Sequence, residues 1–143
     1  MTTVHIVLGV AVVVVNLAAG LLGAYKWRKD EYSHAFWPIL RTGQALVVIE
    51  ALDGAVLLLM GQELPRLHLI YGLVPLGVSF LAEQLRATSA QAVLDARGVA
   101  SARELPAQDA DAAVLDILLR EMGVMAASAL VVAALGLRAG GVL

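Results

Sequence analysis

The stretch VHIVLGVAVVVVNLAAGLLGA, residues 4–24, carries no charge over 21 positions, and its reading decides the fold. A bilayer core of about 30 Å is crossed by about 20 helical residues, within a range of about 17–25. In hydrocarbon every backbone N–H and C=O must find its partner inside the segment, so an uncharged run of this length forms a helix despite its many valines. A cleaved export signal has basic residues ahead of a shorter core of about 7–15 residues. Here the basic cluster KWRK, residues 26–29, follows the run instead. The segment is expected to remain as a first membrane span.

Three further apolar runs lie beyond it. Residues 36–60 are interrupted only by Arg41, Glu50 and Asp53, and residues 67–82 and 122–137 are uncharged. The last two reach spanning length once their polar ends enter the interface. The chain of 143 residues is 60% hydrophobic and 15% charged, with a mean hydropathy of +0.83. A soluble domain is about 45–50% apolar and about 25% charged. The expectation is an all-α four-helix transmembrane bundle, one integral membrane domain over residues 1–143, with spans at about 4–24, 36–60, 67–87 and 112–137. A connection over about residues 88–111 joins the last two. Helix formers continue from Glu83 to a terminal Gly98, so the third helix should outrun the membrane, and Pro106 with nearby acidic residues offers a start for the fourth.

Basic residues orient the bundle. Lys26, Arg28 and Lys29 follow the first span and Arg86, Arg97 and Arg103 the third, against Arg66 and Arg138 on the opposite side. By the positive-inside rule both termini lie outside. Trp27, Tyr32 and Trp37 then sit at the inner interface, a depth aromatic rings favour. Sparse lysine among many Ala, Val, Leu and Arg is the composition of a GC-rich genome, which points to a bacterial inner membrane. The formal net charge of −2 gives no nucleic-acid surface. Without cysteine there is no disulfide, thiolate nucleophile or cysteine-bound metal. No nucleophile elbow, P-loop or dinucleotide fingerprint occurs, so no independent catalytic activity is expected. The expected partners are the lipid bilayer and other membrane subunits or further copies of the chain.

Ionisable residues inside a span are costly and face the bundle interior. On the first helix His5, Gly9, Asn16, Gly20 and Gly23 share a stripe. On the third His68, Gly72, Pro75, Ser79 and Glu83 do. Both histidine stripes are also small-residue stripes, the usual surfaces of close approach between membrane helices. On the second helix Gly43, Glu50, Asp53, Gly54 and Leu57 share a face. His5 and His68 fall in the first turn from the outer surface, beside Tyr71. Counted back from Met60 at about 1.5 Å per residue, Asp53 lies about 10 Å and Glu50 about 15 Å deep.

Three chemistries are open to this set. Two histidines at equal depth, HIVLG at 5–9 and HLIYG at 68–72, supply the axial imidazoles of a b-type haem, with His5 and His68 on the iron. Gly9 and Gly72, one turn on, would let a flat macrocycle lie against the backbone, with Tyr71 beside it. In helix count and these two His-x-x-x-Gly pieces the chain resembles membrane b-type cytochromes and, more loosely, the four-helix halves of haem A synthase. That resemblance implies haem b and an electron-transfer or respiratory-complex subunit. Alternatively, Glu50 and Asp53 form a proton or cation pathway, their depth relative to the histidines favouring a path over one shared ion. In the third reading the stripes only pack helices in a cofactor-free accessory subunit, and Glu50 pairs with an amide such as Asn16. Elsewhere, Asp116 and Arg120 are spaced for an i, i+4 ion pair, Arg41 for a lipid phosphate, and His34 for the inner interface.

Overall fold

The computed structural model describes residues 3–63 and 65–142. It contains four long helices: α1 Thr3–Trp27, α2 Phe36–Leu59, α3 Arg66–Ala96 and α4 Ala107–Ala139, with one 3-10 turn at Ala102–Glu104 ahead of α4. The described residues form no strand, and all four helices are long and apolar enough to cross a bilayer. Short connections make the helices run alternately up and down, so the start of α1 and the end of α4 lie at one end of the bundle. We call it the terminal end.

Each helix stops in the same way. The N–H two residues past the last turn reaches back to a carbonyl five positions earlier: Glu31 to Lys26, Gln62 to Leu57, Val99 to Leu94 and Val142 to Leu137. The residue before each of these donors has a positive φ, supplied by Gly61, Gly98 and Gly141 and, in the first case, by Asp30 at 53°. This double-bonded cap satisfies the last carbonyls without further helix.

Helix α4 is the hub. It packs against α1 on one side and α3 on the other, α1 also packs against α2, and α2 and α3 touch only sparingly. The buried face of α4 is Ala113, Leu119, Met122, Met125, Ala126, Ala129, Val132 and Ala133, small residues alternating with flexible ones. The small-residue stripe of α1 meets it closely. A Cβ on Gly20 would come within 2.6 Å of the Leu130 side chain, and one on Gly23 within 2.6 Å of Phe36 and 2.7 Å of Ala126. Close backbone approach of this kind carries helix association where lipid supplies no hydrophobic drive. On the corresponding stripe of α3, Gly72 does not pack: nothing among the described residues lies within 4 Å of a Cβ there. That part of the stripe faces a cavity.

At the other end a polar network ties α2 to α3 and α4. Glu83 accepts from Arg41, from Gln44 Nε2 at 3.0 Å and from Arg86 Nε at 2.9 Å, and Arg86 also reaches Glu121 at 3.2 Å. Both guanidinium carbons lie 5.9 Å from the centre of the Trp37 ring. Arg41 therefore serves α3, where a lipid phosphate was expected. Asp116 pairs with Arg97 at 2.6 Å across the α3–α4 connection, where a bond to Arg120 one turn on was expected. The second difference follows from the extensions of α3 and α4, which fold against each other and bring Arg97 to Asp116.

Candidate functional site

The first turn of α1 carries His5 into the bundle, 5% exposed, between α2 and α3. Its Nδ1 lies 3.0 Å from Asp53 Oδ2 and 3.4 Å from Glu50 Oε1, and its Nε2 lies 3.5 Å from His68 Nε2. The two rings are 5.7 Å apart between centres and tilted by 57°. His68 Nδ1 lies 3.2 Å from the carbonyl oxygen of Ala139. That carbonyl belongs to the last residue of α4. Its helical neighbours Gly136, Leu137 and Arg138 already accept from Gly140, Val142 and Gly141, so the histidine takes a helix-end carbonyl that the cap leaves over.

These partners assign the ring protons. A carbonyl and a carboxylate only accept, so each neutral ring carries its hydrogen on Nδ1, donated to Asp53 in one case and to Ala139 in the other. The Nε2 lone pairs of His5 and His68 then point into the same gap. Two lone pairs at 3.5 Å repel unless a cation or a proton stands between them. A histidine with Nδ1–H bonded to a carboxylate or a backbone carbonyl is the arrangement found behind metal-ligating imidazoles.

The carboxylates add negative charge. His5, Glu50 and Asp53 each offer a ligand atom within 4.8 Å of the others. Glu50 Oε2 is buried and has no hydrogen-bond partner among the described residues. Two carboxylates beside one imidazole in so apolar a setting call for compensating positive charge. Asn16, the expected amide partner of Glu50, donates instead to Val12 at 2.8 Å and lies against Gly43. Gly9 serves the acid: a Cβ there would come within 3.2 Å of Glu50 Oε1, so glycine leaves room for the carboxylate.

The depth inferred from sequence for the acids is corrected by these contacts. Measured from Met60, Glu50 lay two to three turns from the histidines and Asp53 about 10 Å deep, yet both touch His5. The last turn of α2 overshoots the start of α1, leaving Leu59 89% and Met60 73% exposed, so the two helix ends are not level. The separation that spoke against one shared site disappears.

Beside the imidazole pair lies a cavity of about 820 Å³ bounded by all four helices. Its wall is apolar apart from His5, Glu50, His68 and Tyr71, and Gly9, Gly54, Gly72 and Gly136 contribute bare backbone. Val10 and Leu73 line it while remaining more than half exposed, so it opens through the flank of the bundle, consistent with the sparse α2–α3 contact. Ligand and cofactor pockets occupy about 300–1,000 Å³ with a few convergent polar groups. A smaller pocket of about 340 Å³ lies above it at the terminal end, and His68, Tyr71 and Ala139 line both.

Of the residues singled out in the sequence, His5, His68, Glu50, Asp53 and Gly9 come together, and Gly72 and Tyr71 line the adjoining cavity. His34 stands apart, exposed and edge-on to Tyr32 at 4.8 Å. The Ala139 carbonyl and Arg138, whose guanidinium lies 5.7 Å from the centre of the Tyr71 ring, were not anticipated. The terminal RAGG marked a helix end, but no sequence signal says which carbonyl a distant histidine will take. No protein-family model matches the chain, and comparisons with curated proteins and with solved structures give no match.

Proposed function

We propose that the chain is a multi-pass protein of a bacterial cell membrane that holds haem b between Nε2 of His5 and Nε2 of His68 and serves electron transfer, with both termini outside. One observation carries this reading. The two Nε2 atoms face each other at 3.5 Å with each Nδ1 committed to an acceptor, at the edge of an apolar cavity. Two metal–imidazole bonds of about 2.0–2.1 Å to one metal would span at most about 4 Å, so a metal held by both nitrogens would part the rings by no more than about 0.5 Å. When bound, haem iron would supply one-electron chemistry. The chain's own contributions are separable from it. His5 and His68 ligate, Asp53 and the Ala139 carbonyl fix both rings in the ligating tautomer, and Glu50 with Asp53 offsets positive charge at the centre. The apolar wall excludes water, and bare backbone at Gly72 leaves space for a flat ring.

A second reading takes a single transition-metal ion without a macrocycle. It is favoured by the nitrogen spacing itself: at bonds of about 2.05 Å, 3.5 Å corresponds to an angle of about 117° at the metal, close to tetrahedral. An ion held by the two Nε2 atoms would have imidazole donors, which suit zinc, copper, nickel or iron, with the carboxylates behind His5 at Nδ1.

An absorption spectrum and metal analysis of the detergent-purified full-length protein separate the two. The haem reading expects a Soret band and a sharp band on reduction, both lost in the His5→Ala, His68→Ala double variant. One equivalent of metal without a Soret band would favour the bare ion. A protein with neither, or a Soret band that survives the double substitution, would leave the polar cluster as a helix-packing feature of an accessory subunit.

A further inference from the structure

The two imidazoles are held unequally. Both stand in the first turn of their helices, but their supports differ. Behind His5 stands a carboxylate: Nδ1 lies 3.0 Å from Asp53, within α2, with Glu50 at 3.4 Å, and the residue is 5% exposed. Behind His68 stands a neutral carbonyl, that of Ala139, at 3.2 Å and on the last residue of α4. Helix ends open at much lower cost than helix interiors. A carboxylate on the far ring nitrogen makes an imidazole the more basic ligand, and a charge-assisted bond is roughly twice as strong as a neutral one. His5 is therefore the firmer ligand of the pair.

The space around the rings is unequal in the same sense. His68 is half-buried and lines both cavities, so its ring adjoins the pocket of about 340 Å³ whose mouth is formed by the exposed Gln62, Glu63 and Leu67. The ring can turn into that pocket without a shift of either helix. The position it leaves faces the large apolar cavity, which opens through the flank of the bundle, where uncharged molecules arrive from hydrocarbon. Polarity and access beside an axial position decide whether a haem site takes up small ligands or only passes electrons. Resting on the haem reading above, we propose that His68 is a yielding ligand: its ring turns into the outer pocket, and a neutral diatomic molecule of the carbon monoxide or nitric oxide kind takes its place while His5 stays. An apolar wall with few polar groups suits such a molecule and disfavours an anion.

The test is titration of the full-length protein, loaded with haemin in lipid nanodiscs and reduced, with carbon monoxide. The Soret band reports binding, and the infrared C–O stretch reports the ligand on the opposite side. With His68 off its position in about 1–10% of molecules, wild type binds about 10–100-fold more weakly than His68→Gly. The C–O frequency is the same in both, because both keep His5, and Asp53→Asn shifts it. Leu67→Trp, which fills the outer pocket, weakens binding by wild type severalfold and leaves binding by His68→Gly unchanged, which also reports that the variant is folded. Wild type that keeps its bis-imidazole spectrum under carbon monoxide would overturn the proposal. So would a C–O frequency that differs between wild type and His68→Gly or ignores Asp53→Asn, or a Leu67→Trp effect that persists in His68→Gly. Wild type that takes up no haemin would refute the haem reading itself. Uptake that depends on His5 and His68 without a response to carbon monoxide would refute the yielding ligand alone.

Discussion

Asp53 and Glu50 both approach the same nitrogen of His5, and the structure ranks them. The 3.0 Å contact to Asp53 is a hydrogen bond, whereas the 3.4 Å contact to Glu50 is beyond the usual range for N–H···O. Asp53→Ala removes the acceptor and leaves the imidazole to turn in its socket. A hydrogen bond to a charged group contributes about 1.5–3 kcal/mol. Loss of an outer-shell partner of a ligating histidine lowers affinity about 10–100-fold, the same size of effect. Asp53→Asn keeps a neutral acceptor, and charge-assisted bonds are roughly twice as strong as neutral ones. Its cost is then about 1 kcal/mol, or about fivefold in affinity. Glu50→Gln removes the same unit of charge but no short bond to His5, so its effect should stay within about twofold. Because both amide substitutions remove one negative charge, their difference isolates the hydrogen bond. The assay is the haem dissociation constant in nanodiscs, by Soret titration or by transfer to an apo-scavenger. Equal effects of Asp53→Asn and Glu50→Gln, or an Asp53→Ala protein that binds as tightly as wild type, would overturn the placement of the His5 proton on Nδ1.

Other consequences follow from the packing. Gly20→Val places a side chain within 2.6 Å of Leu130 and 3.0 Å of its backbone nitrogen, and should lower stability in detergent by about 1–3 kcal/mol, measured by thermal unfolding. Gly72→Ala, which meets nothing among the described residues, should not lower the unfolding midpoint. Glu83→Gln withdraws the anion on which Arg41 and Arg86 converge; with the carboxylate side chain 27% exposed, about 1–2 kcal/mol of stability is expected to be lost, chiefly as separation of α2 from α3. The chain has no native cysteine, so Ala92→Cys, on the exposed extension of α3, should be labelled by an impermeant thiol reagent only from the cytoplasmic side. Labelling from outside in intact cells would invert the topology.

The four helices were legible because hydropathy and span length constrain a membrane chain strongly. The α1 stripe was legible too: His5, Asn16, Gly20 and Gly23 are all buried. Three things were not. The relative height of helix ends depends on how far each helix projects past its neighbour, and residue counts from Met60 could not supply it, so His5 and Glu50 were separated on paper although they touch. A glycine stripe has two uses in a bundle, contact or cavity wall; α1 shows the first and Gly72 the second, and the same spacing encodes both. Long-range polar partners, such as Arg41 with Glu83 and His68 with the Ala139 carbonyl, arise only when the helices are brought together. Local spacing favoured i, i+4 pairs like Asp116–Arg120 that the tertiary fold overrides.

Haem held between His5 and His68 requires two imidazoles on one iron. Low-temperature electron paramagnetic resonance of the oxidised, purified full-length protein addresses it directly, since the ferric signal reports both axial ligands. The expected result is a low-spin ferric spectrum of bis-imidazole type, converted to high-spin or lost when either His5 or His68 alone is replaced by alanine. A protein without a low-spin ferric signal, or one whose signal persists through both single substitutions, would contradict it.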